Sequence, residues 1–152
     1  AERPHVFLSL TKEGRSAIFN TRGNPDTHII LRGGKRPNYD TESVAEAAQE
    51  MERAHLRPNL MIDCSHANSR KQHEKQVDVG EDVARQIRRG NRNIIGVMVE
   101  SHLIGGRQDL VDADGLIYGQ SITDACLAWP ETEPLLERLA EAVRLRRTGD
   151  DG

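Results

Sequence analysis

The chain has 152 residues, of which 36% are apolar and 30% charged, with a formal net charge of −3; that length holds one ordinary domain. A slightly acidic chain with only 3% aromatic residues lacks the basic patches and stacking platforms that nucleic-acid binders use. No apolar run approaches the roughly 18 residues a membrane span needs, so neither nucleic acid nor membrane is an expected partner.

The start, Ala1-Glu2-Arg3-Pro4-His5, is neither a signal peptide nor a methionine start, and the chain is expected to begin inside a longer protein. Val6 to Thr11 and Ser16 to Thr21 read as two strands around the Gly turn Lys12-Glu13-Gly14-Arg15, a β-hairpin. Arg22 to Asp26 is loop. His28 to Leu31 is the first buried strand, followed by a loop through Gly33-Gly34 and Pro37-Asn38. Asp40 or Thr41 caps a helix that runs to about Ala54, with Val44, Ala47, Ala48 and Met51 as its apolar stripe. Leu60 to Ile62 is the second buried strand. A second helix is expected from just after Asn68-Ser69 to about Arg89, closed by Gly90. Ile94 to Val99 is the third buried strand, a continuous apolar run that suits coverage on both faces. Gly105 to Gly115 reads as a Gly- and Asp-rich loop, with Leu116 to Tyr118 as a short strand after it. Ser121 to Thr123 is a fourth strand ending at Asp124. A last helix starts at Pro130 and runs to about Arg147, with Leu135, Leu136, Leu139, Val143 and Leu145 as its stripe and residues 148–152 as a frayed tail.

A hairpin over about 6–21 is thus followed by alternating strands and helices over about 28–147, with the first three strands about thirty residues apart. Such alternation predicts a parallel sheet in an α/β fold. Three of the apolar runs stop abruptly in reactive side chains: Leu31 in Arg32-Gly33-Gly34-Lys35, Ile62 in Asp63-Cys64-Ser65-His66, and Val99 in Glu100-Ser101-His102. Chemistry at the C-terminal ends of buried parallel strands is the pattern of an α/β barrel. Four strands cannot close an eight-stranded barrel but can form half of one, and the whole chain reads as one such partial domain.

His66, Glu100 and Asp124 end three different predicted strands, and adjacent parallel strands bring such ends to one face. One imidazole nitrogen and two carboxylate oxygens suit Mn²⁺, Fe²⁺, Co²⁺ or Zn²⁺. On spacing alone the same residues suit helix caps, Arg pairs and a hydrogen-bonded loop histidine. Cys64 and Cys126 each lie two residues from a member of this set and can either join it or serve as small buried hydrophobes. Two cysteines are too few for a disulfide framework, which makes a reducing compartment the default. Arg32-Gly33-Gly34-Lys35 offers a guanidinium fork and flexible amides to a phosphate or carboxylate, or simply forms a solvated turn. His28, His102 and Lys71 are weaker candidates.

The runs HIILRGGKRPNY, MIDCSHANSRKQ, IIGVMVESHL and YGQSITDAC, in this order, resemble the C-terminal half of the class I 3-deoxy-D-arabino-heptulosonate-7-phosphate (DAHP) synthases, the type regulated by aromatic amino acids. The resemblance covers almost the whole chain. It implies the C-terminal half of a (β/α)₈ TIM barrel preceded by a β-hairpin. It also implies condensation of phosphoenolpyruvate with erythrose 4-phosphate to DAHP and phosphate, the first step of the shikimate pathway, in the cytoplasm and in a homo-oligomer. By the same resemblance His66, Glu100 and Asp124 match the ligands of a divalent ion, Mn²⁺ or Fe²⁺ before Co²⁺ or Zn²⁺. Arg32 matches an arginine that holds phosphoenolpyruvate, and Phe7 and Ser9 match positions lining an aromatic amino acid effector pocket. In the family a further cysteine ligand and most phosphate-gripping Lys and Arg residues come from the N-terminal half, so this chain alone is expected to be inactive. An octulosonate-phosphate synthase is a rival whose family lacks the SHAN and VMVESH runs. A truncated module that only binds a partner or effector is the non-catalytic alternative.

Overall fold

Val6–Leu10 (β1) and Ser16–Asn20 (β2) form an antiparallel hairpin with Phe7 opposite Phe19 and Leu8 opposite Ile18. The computed structural model describes residues 1–111 and 115–149. Gly14 turns the hairpin at φ 75°, a conformation that glycine adopts without a Cβ clash. Facing residues of a pair share a side of the ribbon. One side therefore carries Phe7, Ser9, Ala17 and Phe19, with the two rings stacked at 5.7 Å. The other carries Val6, Leu8, Leu10 and Ile18, all exposed.

Ile29–Leu31 (β3), Leu60–Asp63 (β4) and Ile94–Met98 (β5) form a parallel sheet in the order β3-β4-β5. β4 is central, and Leu60 and Ile62 are fully buried, each worth roughly 1.5–3 kcal/mol of apolar transfer. Thr41–Arg53 (α1) connects β3 to β4, and Gln76–Arg88 (α2) connects β4 to β5. Asp40 caps α1: its carboxylate accepts from Ser43 N at 3.0 Å and from Ser43 Oγ at 2.7 Å. Val44, Ala48 and Met51 of α1 and Val79, Val83 and Ile87 of α2 meet Leu60, Ile62 and Ile94 in one core.

Among the described residues, four short strands follow β5: Ser101–His102 (β6), Ile104–Arg107 (β7), Gln120–Ser121 (β8) and Leu127–Ala128 (β9), with β6 parallel to β9 and β7 parallel to β8. Trp129–Thr148 (α3) closes the described chain. Glu131 accepts from the Ala128 N–H at its start, at 3.1 Å. α3 packs on α2 through Leu135, whose Cδ1 would lie 2.7 Å from a Cβ on Gly80. A larger residue at position 80 would have to push the Leu135 side chain aside.

Several expectations are corrected. β3 and β5 are not covered as predicted: Ile29, Ile30 and Ile95 are 42%, 49% and 53% exposed, because side chains point to the faces of the sheet and, among the described residues, those faces are left partly open at the two outer strands, each paired only with β4. The second helix begins at Gln76, not near residue 70. Residues 65–72 are instead held by local turns, with His66, Arg70 and Lys71 at positive φ, and a short 3₁₀ turn at His73–Lys75 precedes it. Residues 105–107, predicted as loop, belong to β7, while 116–118 form no strand. The fourth strand ends at Ser121, two residues short of its predicted end. Leu136 and Leu145 of the α3 stripe are partly exposed at 44% and 38%. Residues 112–114 of the predicted loop and 150–152 of the predicted tail lie outside the described residues. Among the described residues, no helix is long and apolar enough to cross a membrane.

Candidate functional site

β4 ends at Asp63, a carboxylate only 2% exposed. Its Oδ1 accepts from Ser65 N at 2.8 Å and from Ser65 Oγ at 2.6 Å, the local turn that Asp side chains favour. The turn reverses the chain and sets His66 at φ 50°, where its ring folds back over the strand end. His66 Nδ1 lies 2.7 Å from Asp63 Oδ2. A buried carboxylate there holds the proton on Nδ1 and leaves the Nε2 lone pair outward, the arrangement metal-binding histidines use. Nε2 lies 3.8 Å from Glu100 Oε1.

Glu100 follows β5. Its main chain is gripped by the side chain of Gln76, whose Oε1 accepts from Glu100 N at 2.8 Å and whose Nε2 donates to Glu100 O at 3.1 Å. Leu127 N donates to the same carbonyl at 2.9 Å. Asp124 is exposed, three residues past β8. One donor atom from each of His66, Glu100 and Asp124 lies within 4.8 Å of the other two. Two donors on one ion at about 2.1 Å each are at most about 4.2 Å apart, so a small side-chain adjustment closes the set. The donor chemistry, one neutral imidazole and two carboxylates, fits a divalent cation of borderline hardness. Burial, more than any neighbour, pushes the Glu100 carboxyl above the usual range; His66 and Arg32 pull it down, and Asp124 and Asp63 push it further up.

Arg32, His66, Lys71, His73, Glu100 and Asp124 line one cavity of about 360 Å³. Arg32 follows β3, and its loop is fixed by two asparagines. Asn68, 3% exposed, donates through Nδ2 to Leu31 O at 3.0 Å and Asp63 O at 2.7 Å, and accepts from Asn38 N at 2.8 Å. Asn38 Oδ1 in turn accepts from Gly33 N at 2.7 Å. Gly33 sits at φ 75°, and a Cβ there would lie 2.8 Å from Ala67 Cβ.

Of the sequence-predicted residues, His66, Glu100, Asp124 and Arg32 therefore share this cavity, and Lys71 joins them. Phe7 and Ser9 lie apart on the hairpin. His28 lines a different pocket, and His102 accepts from Leu103 N at 2.8 Å outside the cavity. Cys64 does not join the donor set: it is fully buried in the core, and burial pushes its thiol up to about 12. Cys126 is half-buried and donates to the Asp124 carbonyl at 3.5 Å. Asp63, Asn68 and Gln76 were not singled out as site residues by sequence reasoning. Asp63 had a signal, its place three residues before His66 at a strand end; Gln76 had none.

The DAHP synthetase I family model matches residues 1–137. The phospho-2-dehydro-3-deoxyheptonate aldolase of Haemophilus influenzae is 57% identical over 148 residues, covering 97% of this chain and 41% of that protein. The Phe-sensitive phospho-2-dehydro-3-deoxyheptonate aldolase of Escherichia coli K12 is 57% identical over 147 residues, 97% of this chain and 42% of that protein. The solved phospho-2-dehydro-3-deoxyheptonate aldolase of Francisella tularensis SCHU S4 superposes with a TM-score of 0.87 at 48% identity, over 96% of this chain and 42% of that one. The chain thus spans about two fifths of the length of the relatives it matches.

Proposed function

Because the chain belongs to the DAHP synthetase I family, we propose that it forms the C-terminal half of a (β/α)₈ barrel, a single partial domain, in an enzyme that condenses phosphoenolpyruvate with erythrose 4-phosphate to DAHP and phosphate. The observation that carries this reading is the convergence of His66, Glu100 and Asp124 with Arg32 on one cavity beyond the C-terminal ends of parallel strands. In this reading His66 Nε2 and the carboxylates of Glu100 and Asp124 hold a divalent cation, Mn²⁺ or Fe²⁺ before Co²⁺ or Zn²⁺. When bound, that ion supplies Lewis-acid polarisation of a carbonyl oxygen.

The chain's own groups do the rest of what these residues contribute. Asp63 keeps the His66 proton on Nδ1, so the ring presents a lone pair to the cavity. Arg32, always charged, forms paired charge-assisted hydrogen bonds with phosphoenolpyruvate and sets its attacking carbon toward the aldehyde. The Asn68–Asn38–Gly33 chain of bonds keeps the Arg32 loop from sampling other poses.

The exposed hairpin supports a second role: with Phe7 and Ser9 on one side of the ribbon, it contributes to a site for an aromatic amino acid effector. A relative named Phe-sensitive supports that class of effector. Both cysteines are free thiols, which fits a cytoplasmic enzyme, and the open edges of β3 and β5 fit a chain that works in a larger assembly, a homo-oligomer among them. By this reading the 152 residues bind ligand without turnover.

Calorimetric titration of this chain with Mn²⁺ and then phosphoenolpyruvate tests the reading, with His66→Ala and Arg32→Ala beside it. Expected are Mn²⁺ binding lost in His66→Ala and phosphoenolpyruvate binding lost in Arg32→Ala. Mn²⁺ binding indifferent to His66→Ala would overturn the metal assignment.

A further inference from the structure

The first residue of α2 is a glutamine with no exposed surface. Gln76 is fully buried, and both ends of its carboxamide hydrogen-bond off its own helix. It reaches the main chain of Glu100, 24 residues away: Oε1 accepts from the Glu100 N–H at 2.8 Å and Nε2 donates to the Glu100 carbonyl at 3.1 Å. A carboxamide presents the same donor and acceptor as a peptide group, so this pair is a strand pairing made by one side chain. β5 has already ended at Met98, and beyond it the Glu100 carbonyl is shared between Gln76 and Leu127 N, while the Glu100 N–H donates to the Gln76 side chain. A buried amide is costly unless both its ends are bonded. Here one residue satisfies both ends, and it is the residue that carries a carboxylate of the donor triad.

We infer that Gln76 is a positioning residue for Glu100: it fixes the main chain from which that carboxylate reaches the cavity, and so sets the affinity of His66, Glu100 and Asp124 for a divalent cation. The inference rests on the metal reading above. Groups that orient a metal ligand change metal affinity by about 10–100-fold when removed. Gln86 supplies the control. It is also buried, at 4% exposed, but bonds Tyr39 O and Asp82 Oδ1, neither of which lines the cavity.

The test is a titration of the chain with Co²⁺ alone, followed by its visible absorption. Wild type, Gln76→Met, Glu100→Ala, the double variant, Gln86→Met and His66→Ala are compared after each gives the wild-type circular dichroism. Gln76→Met is expected to weaken Co²⁺ binding about tenfold and to shift the absorption band, because the carboxylate has moved. It is expected to add nothing to the loss in Glu100→Ala, and Gln86→Met is expected to bind as wild type. If Gln76→Met does not fold, Gln76→Glu replaces it: the shape and the acceptor remain, while a charged oxygen faces the Glu100 carbonyl, and the same shift is expected. Wild-type affinity and band in the Gln76 variant overturn the inference. So does an equal loss in both backgrounds with an unmoved band, which would mean general loosening. Co²⁺ binding indifferent to His66→Ala and Glu100→Ala overturns the metal reading itself, and this inference falls with it.

Discussion

Replacing Asn68 should uncouple the two strand ends that frame the cavity. Its side chain makes three bonds, to Leu31 O, Asp63 O and Asn38 N, and only 3% of the residue is exposed, so water cannot substitute for the lost partner. At about 1 kcal/mol net per bond, Asn68→Ala should cost about 3 kcal/mol. For a chain of this length, 1 kcal/mol moves the melting midpoint by about 2–4 °C, so the midpoint should fall by about 6–12 °C. Asn68→Asp discriminates further. It has the same shape, but at neutral pH it has no donor and points an anionic oxygen at two carbonyls. It should melt no higher than Asn68→Ala at pH 7 despite leaving no cavity. Phosphoenolpyruvate affinity should fall in both, because the Asn38 bond to Gly33 N holds the Arg32 loop. Circular dichroism melts and calorimetry measure the two effects. Wild-type melting of Asn68→Asp at pH 7 would refute the reasoning, since the donor pattern would then carry nothing.

Three further outcomes are expected. Gly33→Ala places a Cβ 2.8 Å from Ala67 Cβ in a left-handed conformation at φ 75°; it should cost about 1–3 kcal/mol and weaken phosphoenolpyruvate binding, read by urea titration and calorimetry. Cys64, whose thiol is held up at about 12 by burial and by the Asp63 charge, should resist alkylation at pH 8 and react more slowly than half-buried Cys126, whose thiol burial also raises, as mass spectrometry of the labelled native chain would read. Since the raised Cys64 value favours the neutral folded form, its contribution to stability is present below about pH 8.5 and lost as pH rises toward 12. Asp40→Ala removes the α1 cap and should cost about 1 kcal/mol. The Ser43 N–H holds the Asp40 carboxyl below its usual range, so in the wild type the cap's contribution is present above about pH 4 and lost as pH falls through the lowered value. A wild-type to Asp40→Ala difference that stays constant from pH 7 to pH 2 would contradict this.

Period and punctuation made the hairpin, β4, α1 with its Asp40 cap and the three strand ends legible, because alternation and three- and four-residue spacing are properties of adjacent residues. The same local logic put His66 and Glu100 on one face: parallel neighbours point their C-terminal ends the same way. Local pattern says which residues share a face but not whether anything covers it, so Ile29, Ile30 and Ile95 read as buried and stand open at the edges of the sheet. Nor does it weigh a helical stretch against turn bonds: Asp63 draws Ser65 and His66 into a reversal, and α2 starts at Gln76 instead. The short strands β6 to β9 exist through pairing with residues 14 to 26 positions away, and segments of two to four residues are too brief to carry a period. What the amino-acid order determined by itself was the set of reactive ends and the elements that carry them. Only the tertiary structure decided how those ends are held, because a carboxamide that bonds a main chain 24 or 37 residues away leaves no periodicity behind it.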